Sequence, residues 1–206
     1  MLNRKNVGVA FLATGLLTLS PAALRAGVPT DQVRQTADRV LSVLQDSRLK
    51  SPDKQQERRA QIRQIIANRF DFGEMAKRSL GPNWQKVNND DRREFVELFT
   101  ELLEKSYADQ IESYNGEKIV YGRENVSQDQ ADVATKIVTK KGEEISINYK
   151  LRANGGDWKV YDVIIEDISI VNNFRSQFNR ILANASFAEL LKKLQSKSVE
   201  TKPVRG

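Results

Sequence analysis

Apolar residues recur at helical spacing through the first half of the chain and at a spacing of two through much of the second. After Pro29, Thr30 opens a helix whose face Val33, Ala37, Val40, Leu41 and Leu44 runs to about residue 48. Ser51-Pro52-Asp53 is a second start, with a Ser cap and Pro at the first helical position, and Ile62, Ile65 and Ile66 form the face that follows. A short segment, Phe72–Leu80, stops at Gly81-Pro82. Asn88-Asn89-Asp90 then opens the longest helix, to about Ser113, carrying Phe95, Leu98, Phe99, Leu102, Leu103 and Ile111, with Tyr107 and Tyr114 near its end.

Beyond Asn115-Gly116 the alternation predicts strands at 117–126, 130–140, 143–152 and 157–166, joined by connections short enough for an antiparallel meander. In the third strand Ile145, Ile147, Tyr149 and Leu151 face one side and Ser146, Asn148 and Lys150 the other. One sheet face is therefore dry and one wet. The last strand is apolar on both sides, as a central or bulged strand would be. At Asp167-Ile168-Ser169 the period changes again, and Ile170, Phe174, Phe178 and Ile181 fall on one helical face, expected to lie back over the sheet. A final helix at about 187–195 carries Phe187, Leu190, Leu191 and Leu194, before a polar tail over 196–206. Helices, strands and helices in that order predict an α+β fold. It is a curved four-stranded antiparallel sheet, covered on one face by helices and enclosing an apolar pocket, in one domain over 27–195.

Residues 1–26 read as a secretory leader. Arg4 and Lys5 precede the apolar run Val7–Leu19, and cleavage fits after Ala22 or after Ala26. A retained anchor is the alternative, although the run is short for a membrane span. Losing Arg4, Lys5 and Arg25 lowers the formal charge from +6 to about +3. The pairs Arg58-Arg59, Arg92-Arg93, Lys140-Lys141 and Lys192-Lys193 are scattered, as on solvated faces, and point to no nucleic-acid footprint. The chain has no Cys and no His. That removes cysteine nucleophiles, histidine bases, Ser-His-Asp triads and the usual zinc sites, so no metal and no cofactor are expected.

Several residues together resemble the MlaC/toluene-tolerance family of periplasmic phospholipid-binding proteins. They are Phe70-Asp71-Phe72, Met75-Ala76, Leu80-Gly81, Trp84, Phe95, Phe99, Leu102-Leu103, Tyr107, Gly142 and Tyr149, then Trp158-Lys159-Val160-Tyr161-Asp162-Val163 and finally Ser169, Val171, Asn173 and Arg175-Ser176-Gln177-Phe178. The likeness runs from about residue 30 to 195. Asp167 stands where Gly is common in the family, Ile170 where Leu is expected and Phe174 where Tyr is frequent. The resemblance implies a non-enzymatic periplasmic carrier that shuttles phospholipid between membranes. Its implied partners are an inner-membrane ABC transporter complex and an outer-membrane lipoprotein/porin complex, met transiently by a monomer.

Burying an acyl chain of about 15 carbons is worth on the order of 10 kcal/mol against water, and a bilayer offers the same. A carrier thus needs dry walls and no catalytic constellation. Candidate walls are Phe72, Met75, Trp84, Phe99, Tyr107, Val133, Ile147, Tyr149, Val171, Phe174 and Phe178. Every helix-on-sheet domain needs such residues for its core as well. Arg175 and Gln177, with Asn173, are candidate headgroup contacts, and capping explains them equally well. Two rivals stand beside the carrier. One is an isomerase-like enzyme with a carboxylate base, chosen from Asp71, Asp162, Glu166 and Asp167 with Asp162 foremost; the other is a lipid-free adaptor with a filled core.

Overall fold

A computed structural model describes residues 29–196 and Val199. The expected leader, and the tail apart from Ser196 and Val199, lie outside the described residues. Helix α1 spans Pro29–Gln45 and α2 spans Gln55–Arg69. Ser51 makes no capping bond, so Ser51-Pro52-Asp53 opens a 3-10 turn at Pro52–Lys54 and α2 begins only after it. Helix α3, Phe72–Leu80, is capped by Asp71, whose side chain accepts from the Glu74 amide at 2.9 Å. Gly81 ends it at φ +55°, a conformation that suits glycine, and a 3-10 turn follows at Gly81–Lys86. Helix α4 spans Asn89–Glu112, with Asn88 Oδ1 accepting from the amides of Asp90 and Asp91.

The strands are β1 (Lys118–Ser127), β2 (Gln130–Val138), β3 (Glu144–Asn154), β4 (Asp157–Ile165) and β5 (Ile168–Ser169), antiparallel and in sequential order. The sheet thus has five strands where the alternation predicts four. The addition is a tight hairpin: Ile165 pairs with Ile168 across Glu166 and Asp167, at φ +47° and +64°. Positive φ at both central residues is the two-residue turn that matches strand twist, and it explains why Asp167 occupies a position that suits glycine. Bulges curve the sheet at two places. Tyr161 is extra between the pairs Leu151–Val160 and Lys150–Asp162, and Gly122 and Arg123 together oppose Ala134. Beyond β4, Phe70 forms a parallel bridge to Val160, so that edge is partly covered.

Helix α5, Ile170–Leu182, starts directly after β5, with Ser169 capping the Asn172 amide. Helix α6, Phe187–Gln195, carries a reciprocal capping box between Ser186 and Glu189. The helical half of the core is solid. Phe95, Phe99, Phe174 and Phe178 are essentially inaccessible and meet at centroid distances of 5.4–6.0 Å, with Phe187 against Phe95. Leu80, Leu190, Leu191 and Val199 are buried in the same cluster. Helix α5 thus lies against α3, its Phe174 and Phe178 rings reach the rings of α4, and of its stripe Ile170 lines the space over the sheet.

Polar ties hold α1 to the rest of the fold. The Thr30 amide and hydroxyl donate to Glu124 Oε2 at 2.7 and 2.5 Å, a carboxylate at a helix start. Buried Gln32 Oε1 accepts from the Trp158 amide at 2.8 Å and from Arg69 Nη1 at 2.5 Å. Arg34 lies 4.6 Å over the Tyr121 ring. All of these anchors lie in the first two turns.

Candidate functional site

Between the dry sheet face and helices α1, α2 and α4 lies a cavity of about 620 Å³. Its floor is Ile119, Ile137, Ile145, Ile147, Tyr149, Val163 and Ile165, drawn from four strands. The roof is the apolar face of α1: Val33, Ala37, Val40, Leu41 and Leu44. Ile66 of α2 and Leu103, Tyr107 and Ile111 of α4 form the sides. Helix α4, about 36 Å long, serves two regions. Its first half presents Phe95 and Phe99 to the aromatic core and its second half faces the hollow.

The two ends of the cavity differ. Toward α3 and α5 it is lined by Phe70, Phe72, Met75, Val160 and Ile170. Where α1 and α4 finish, Gln110, Ser113, Tyr114, Glu117 and Thr139 line it instead. An amphiphile in this space meets an apolar end and a polar end.

Few charges reach the lining. Arg69 Nη1 donates to Gln32 and to the Trp158 carbonyl at 2.6 Å, and Nε donates to Thr36 Oγ1 at 3.2 Å. Burial lowers its pKa from the ordinary arginine value, with Asp157 opposing. Burial likewise pushes the Glu104 carboxyl up, while Arg63 at 2.8 Å holds it down. The Tyr149 phenol is pushed up to about 12, first by burial and then by the neighbouring Tyr121, with a Thr135 hydrogen bond opposing. It stays neutral at any physiological pH. The Tyr121 hydroxyl itself is shut from solvent and meets no acceptor.

The carboxylates considered as bases have other work. Asp162 Oδ2 accepts from the Ser169 hydroxyl at 2.6 Å and Oδ1 from the Val171 amide at 3.1 Å, which fastens the strand-to-helix corner. It does not line the cavity. Asp71 caps α3, and Glu166 accepts from the Ser146 amide. Asp167 sits in the β4–β5 turn. Among the described residues no cluster of three or more acidic side chains is placed to hold a metal, and no helix is long and apolar enough to cross a membrane.

Of the eleven predicted wall residues, Phe72, Met75, Tyr107, Ile147 and Tyr149 line the cavity. The other six lie elsewhere. Phe99, Phe174 and Phe178 form the aromatic stack, and Val133 and Val171 are buried at 1% and 2% exposure. Trp84 sits in the turn after α3, with the Arg92 guanidinium 5.1 Å from its ring. Phe174, where the family often has Tyr, is surrounded by rings and has no polar role to lose. Arg175 and Gln177 are also away from the cavity. Arg175 Nε donates to the Arg78 carbonyl at 2.7 Å, at the end of α3, and Gln177 bonds Asn173 one turn back on its own helix. The α1 roof and the Ile119–Ile137–Ile145 row belong to the lining that the sequence reading did not single out as walls, as do Ile66, Phe70, Leu103, Ile111, Val160, Val163, Ile165 and Ile170. The signal for the roof and the row was present: two long apolar faces made almost wholly of Val, Ile, Leu and Ala, with few rings to fill the space between them.

A family model described as MlaC protein matches residues 34–196. The intermembrane phospholipid transport system binding protein MlaC of Haemophilus influenzae is 23% identical over 192 residues, spanning 91% of this chain and 89% of its own length. The toluene tolerance protein ttg2D of Pseudomonas putida is 25% identical over 176 residues, 82% of each chain. Among solved structures, the phospholipid-binding protein from Ralstonia solanacearum, in complex with a phospholipid, aligns with a TM-score of 0.73 at 18% identity. The match covers 83% of this chain and 97% of that one, and the shared fold is what it shows.

Proposed function

Since the chain belongs to the MlaC protein family, we propose that it is a periplasmic carrier that holds phospholipid by its acyl chains and exchanges it with membrane-bound complexes. The observation that carries this is the cavity of about 620 Å³ walled by aliphatic side chains from sheet and helices. An ordinary core fills such a space, because interiors pack like organic crystals. At about 30 Å³ per methylene, similar to the share of a water molecule in its liquid, the space takes roughly twenty methylenes. That is one long acyl chain and part of a second. The names of the relatives, one an intermembrane phospholipid transport protein and the other a toluene tolerance protein, support the same reading.

Chemistry is not required of such a site. Carrier and bilayer both take the chain out of water, so transfer is nearly thermoneutral and its direction is set by the donor and acceptor membranes. The contacts proposed for the lipid are Phe72, Met75, Tyr107, Ile147 and Tyr149, with the α1 face above them. An inner-membrane ABC transporter complex and an outer-membrane lipoprotein/porin complex are the partners that fit a shuttle.

The test is native mass spectrometry of protein released from a periplasmic extract, followed by extraction and analysis of the lipid. Bound phospholipid in most of the protein is expected. Protein at bare mass with no extractable phospholipid overturns the proposal and favours a lipid-free adaptor.

A further inference from the structure

At the polar end of the cavity a second hollow, of about 370 Å³, opens between the ends of α1 and α4 and the start of α2. It shares Leu44 and Tyr114 with the larger cavity and is otherwise lined by Gln45, Lys50, Arg58, Glu112, Asn115 and Gly116. Its two cations are incompletely used. Lys50 is exposed, and no carboxylate stands within ion-pair distance of it among the described residues. The Arg58 side chain is mostly buried. Nη1 donates to the Leu49 carbonyl at 3.0 Å and Nη2 stands 3.4 Å from Glu112, while Nε is shut from water and meets no acceptor. Glu112, the one carboxylate here, is saturated: Arg59 donates to both of its oxygens at 3.0 and 2.8 Å. A buried guanidinium N–H with no acceptor is a standing cost that an incoming anion removes.

We propose that this side pocket receives the phosphate of a phospholipid headgroup, on Arg58 and Lys50, while the acyl chains lie in the adjoining cavity. The inference rests on the carrier reading above and adds to it a fixed orientation for the lipid. The apolar end, at Phe70, Phe72 and Ile170, takes the chain termini, and the glycerol lies by Leu44 and Tyr114, where the two spaces meet. Nε is shut from water, so the phosphate accepts a charge-assisted hydrogen bond from Arg58 once the planar guanidinium swings its free N–H toward the hollow. Recognition of the phosphate separates a phospholipid from a diacylglycerol with the same tails, which an apolar cavity alone cannot do.

The experiment compares a phosphatidylglycerol and the matching diacylglycerol, each offered from micelles to delipidated full-length protein and read by native mass spectrometry. The wild type is expected to favour the phospholipid by about tenfold or more, the scale of one charge-assisted hydrogen bond. Arg58→Gln and Lys50→Glu are each expected to lower phospholipid occupancy toward the diacylglycerol level and leave diacylglycerol binding unchanged. Lys50 is exposed, so Lys50→Glu decides the matter if Arg58→Gln does not fold. Equal binding of the two lipids by the wild type, or a preference that survives Lys50→Glu, overturns the headgroup pocket while the carrier stands. Binding of neither lipid overturns the carrier reading itself. Inorganic phosphate, added to lipid-free protein and followed by phosphorus NMR, distinguishes the source. Saturation by free phosphate at concentrations where the lipid also binds makes this an anion site, not a headgroup site.

Discussion

Replacing Ile147 by Glu puts a carboxyl on the cavity floor at a position that is only half-buried, because its side chain faces the open space. In the empty protein, water reaches that carboxyl and the fold is retained. In the loaded protein the lipid expels the water, and the carboxyl must either be buried charged or take up a proton. Protonation sets the ceiling on the penalty. From an ordinary glutamate value of about 4.3, neutralisation at pH 7 costs about 3.7 kcal/mol, a loss of lipid affinity of up to about 500-fold. At pH 5 the same step costs only about 1 kcal/mol, roughly fivefold. The sign follows from a pKa raised by the lipid. Affinity is unaffected below the value in the empty protein and falls as pH climbs above it, by up to tenfold per unit. Occupancy measured with a fluorescent phosphatidylcholine probe, whose headgroup does not titrate in this range, is expected to recover in Ile147→Glu from pH 7.5 down to 5 and stay flat in the wild type. Phe99→Glu is the control. Phe99 is wholly buried between Phe95, Phe174 and Phe178, and the change is expected to abolish folding in circular dichroism. If Ile147→Glu unfolds in the same way, the floor is packed and there is no hollow. If it binds the probe like the wild type at pH 7.5, the lipid is held somewhere else.

Arg69→Met removes the donors that satisfy Gln32, Thr36 and the Trp158 carbonyl. A loss of about 2–4 kcal/mol is expected from urea unfolding, and Arg69→Lys, which lacks the planar fork, should recover little of it. Asp162→Asn weakens the bonds to Ser169 and Val171 and should cost about 1–2 kcal/mol. Lipid loading measured by native mass spectrometry should be unchanged; loss of loading without loss of stability would return Asp162 to the site. The ion pairs between α2 and α4 predict opposite pH behaviour for two carboxylates. Hydrogen bonding by Arg59 holds the Glu112 pKa down. Its contribution is present above its unfolded value and fades as pH falls through the lowered one, so Glu112→Gln should destabilise at pH 7 and match the wild type in strong acid. Glu104 is raised by burial, so its charge weakens the fold at neutral pH. Glu104→Gln should be neutral to mildly stabilising at pH 7, with melting temperatures converging on the wild type near pH 4.

The elements were legible because their periods are clean. The four long strands and the helices from Phe72, Asn89 and Phe187 fall within two or three residues of where the alternation and the caps put them. What escaped was local chemistry that overrides pattern. Glu166-Asp167 turns at positive φ without a glycine, so β5 read as the mouth of a helix, and Ser51 precedes a 3-10 turn in place of a full one. The cavity was legible only by half, for a different reason. Periodicity reports which face of an element turns inward. It does not report whether the facing element arrives close enough to touch.

Volume decides that. Five of the phenylalanines sit on α4, α5 and α6 and close those helices on one another at ring contact. A helix that presents Val33, Ala37, Val40 and Leu41 to a row of isoleucines must come much closer for its atoms to meet. Here the ties at Thr30, Gln32 and Arg69 set where α1 rests, and its side chains stop short of the floor. The hollow persists because the polar anchors and the aromatic block next to it are each satisfied where they are, and collapse would have to break one or the other. On that account, relaxing the anchors should shrink the cavity even as it weakens the fold. Thr30→Val with Gln32→Leu removes the side-chain ties of the first turn without adding a charge, and leaves the amide of residue 30 as the one remaining donor to Glu124. It is expected to lower the melting temperature and, measured at a temperature where the fold is intact, to reduce probe occupancy more than Gln35→Ala does at an exposed position of the same helix. Undiminished occupancy in that double variant would mean that packing, and not the polar ties, holds α1 off the sheet.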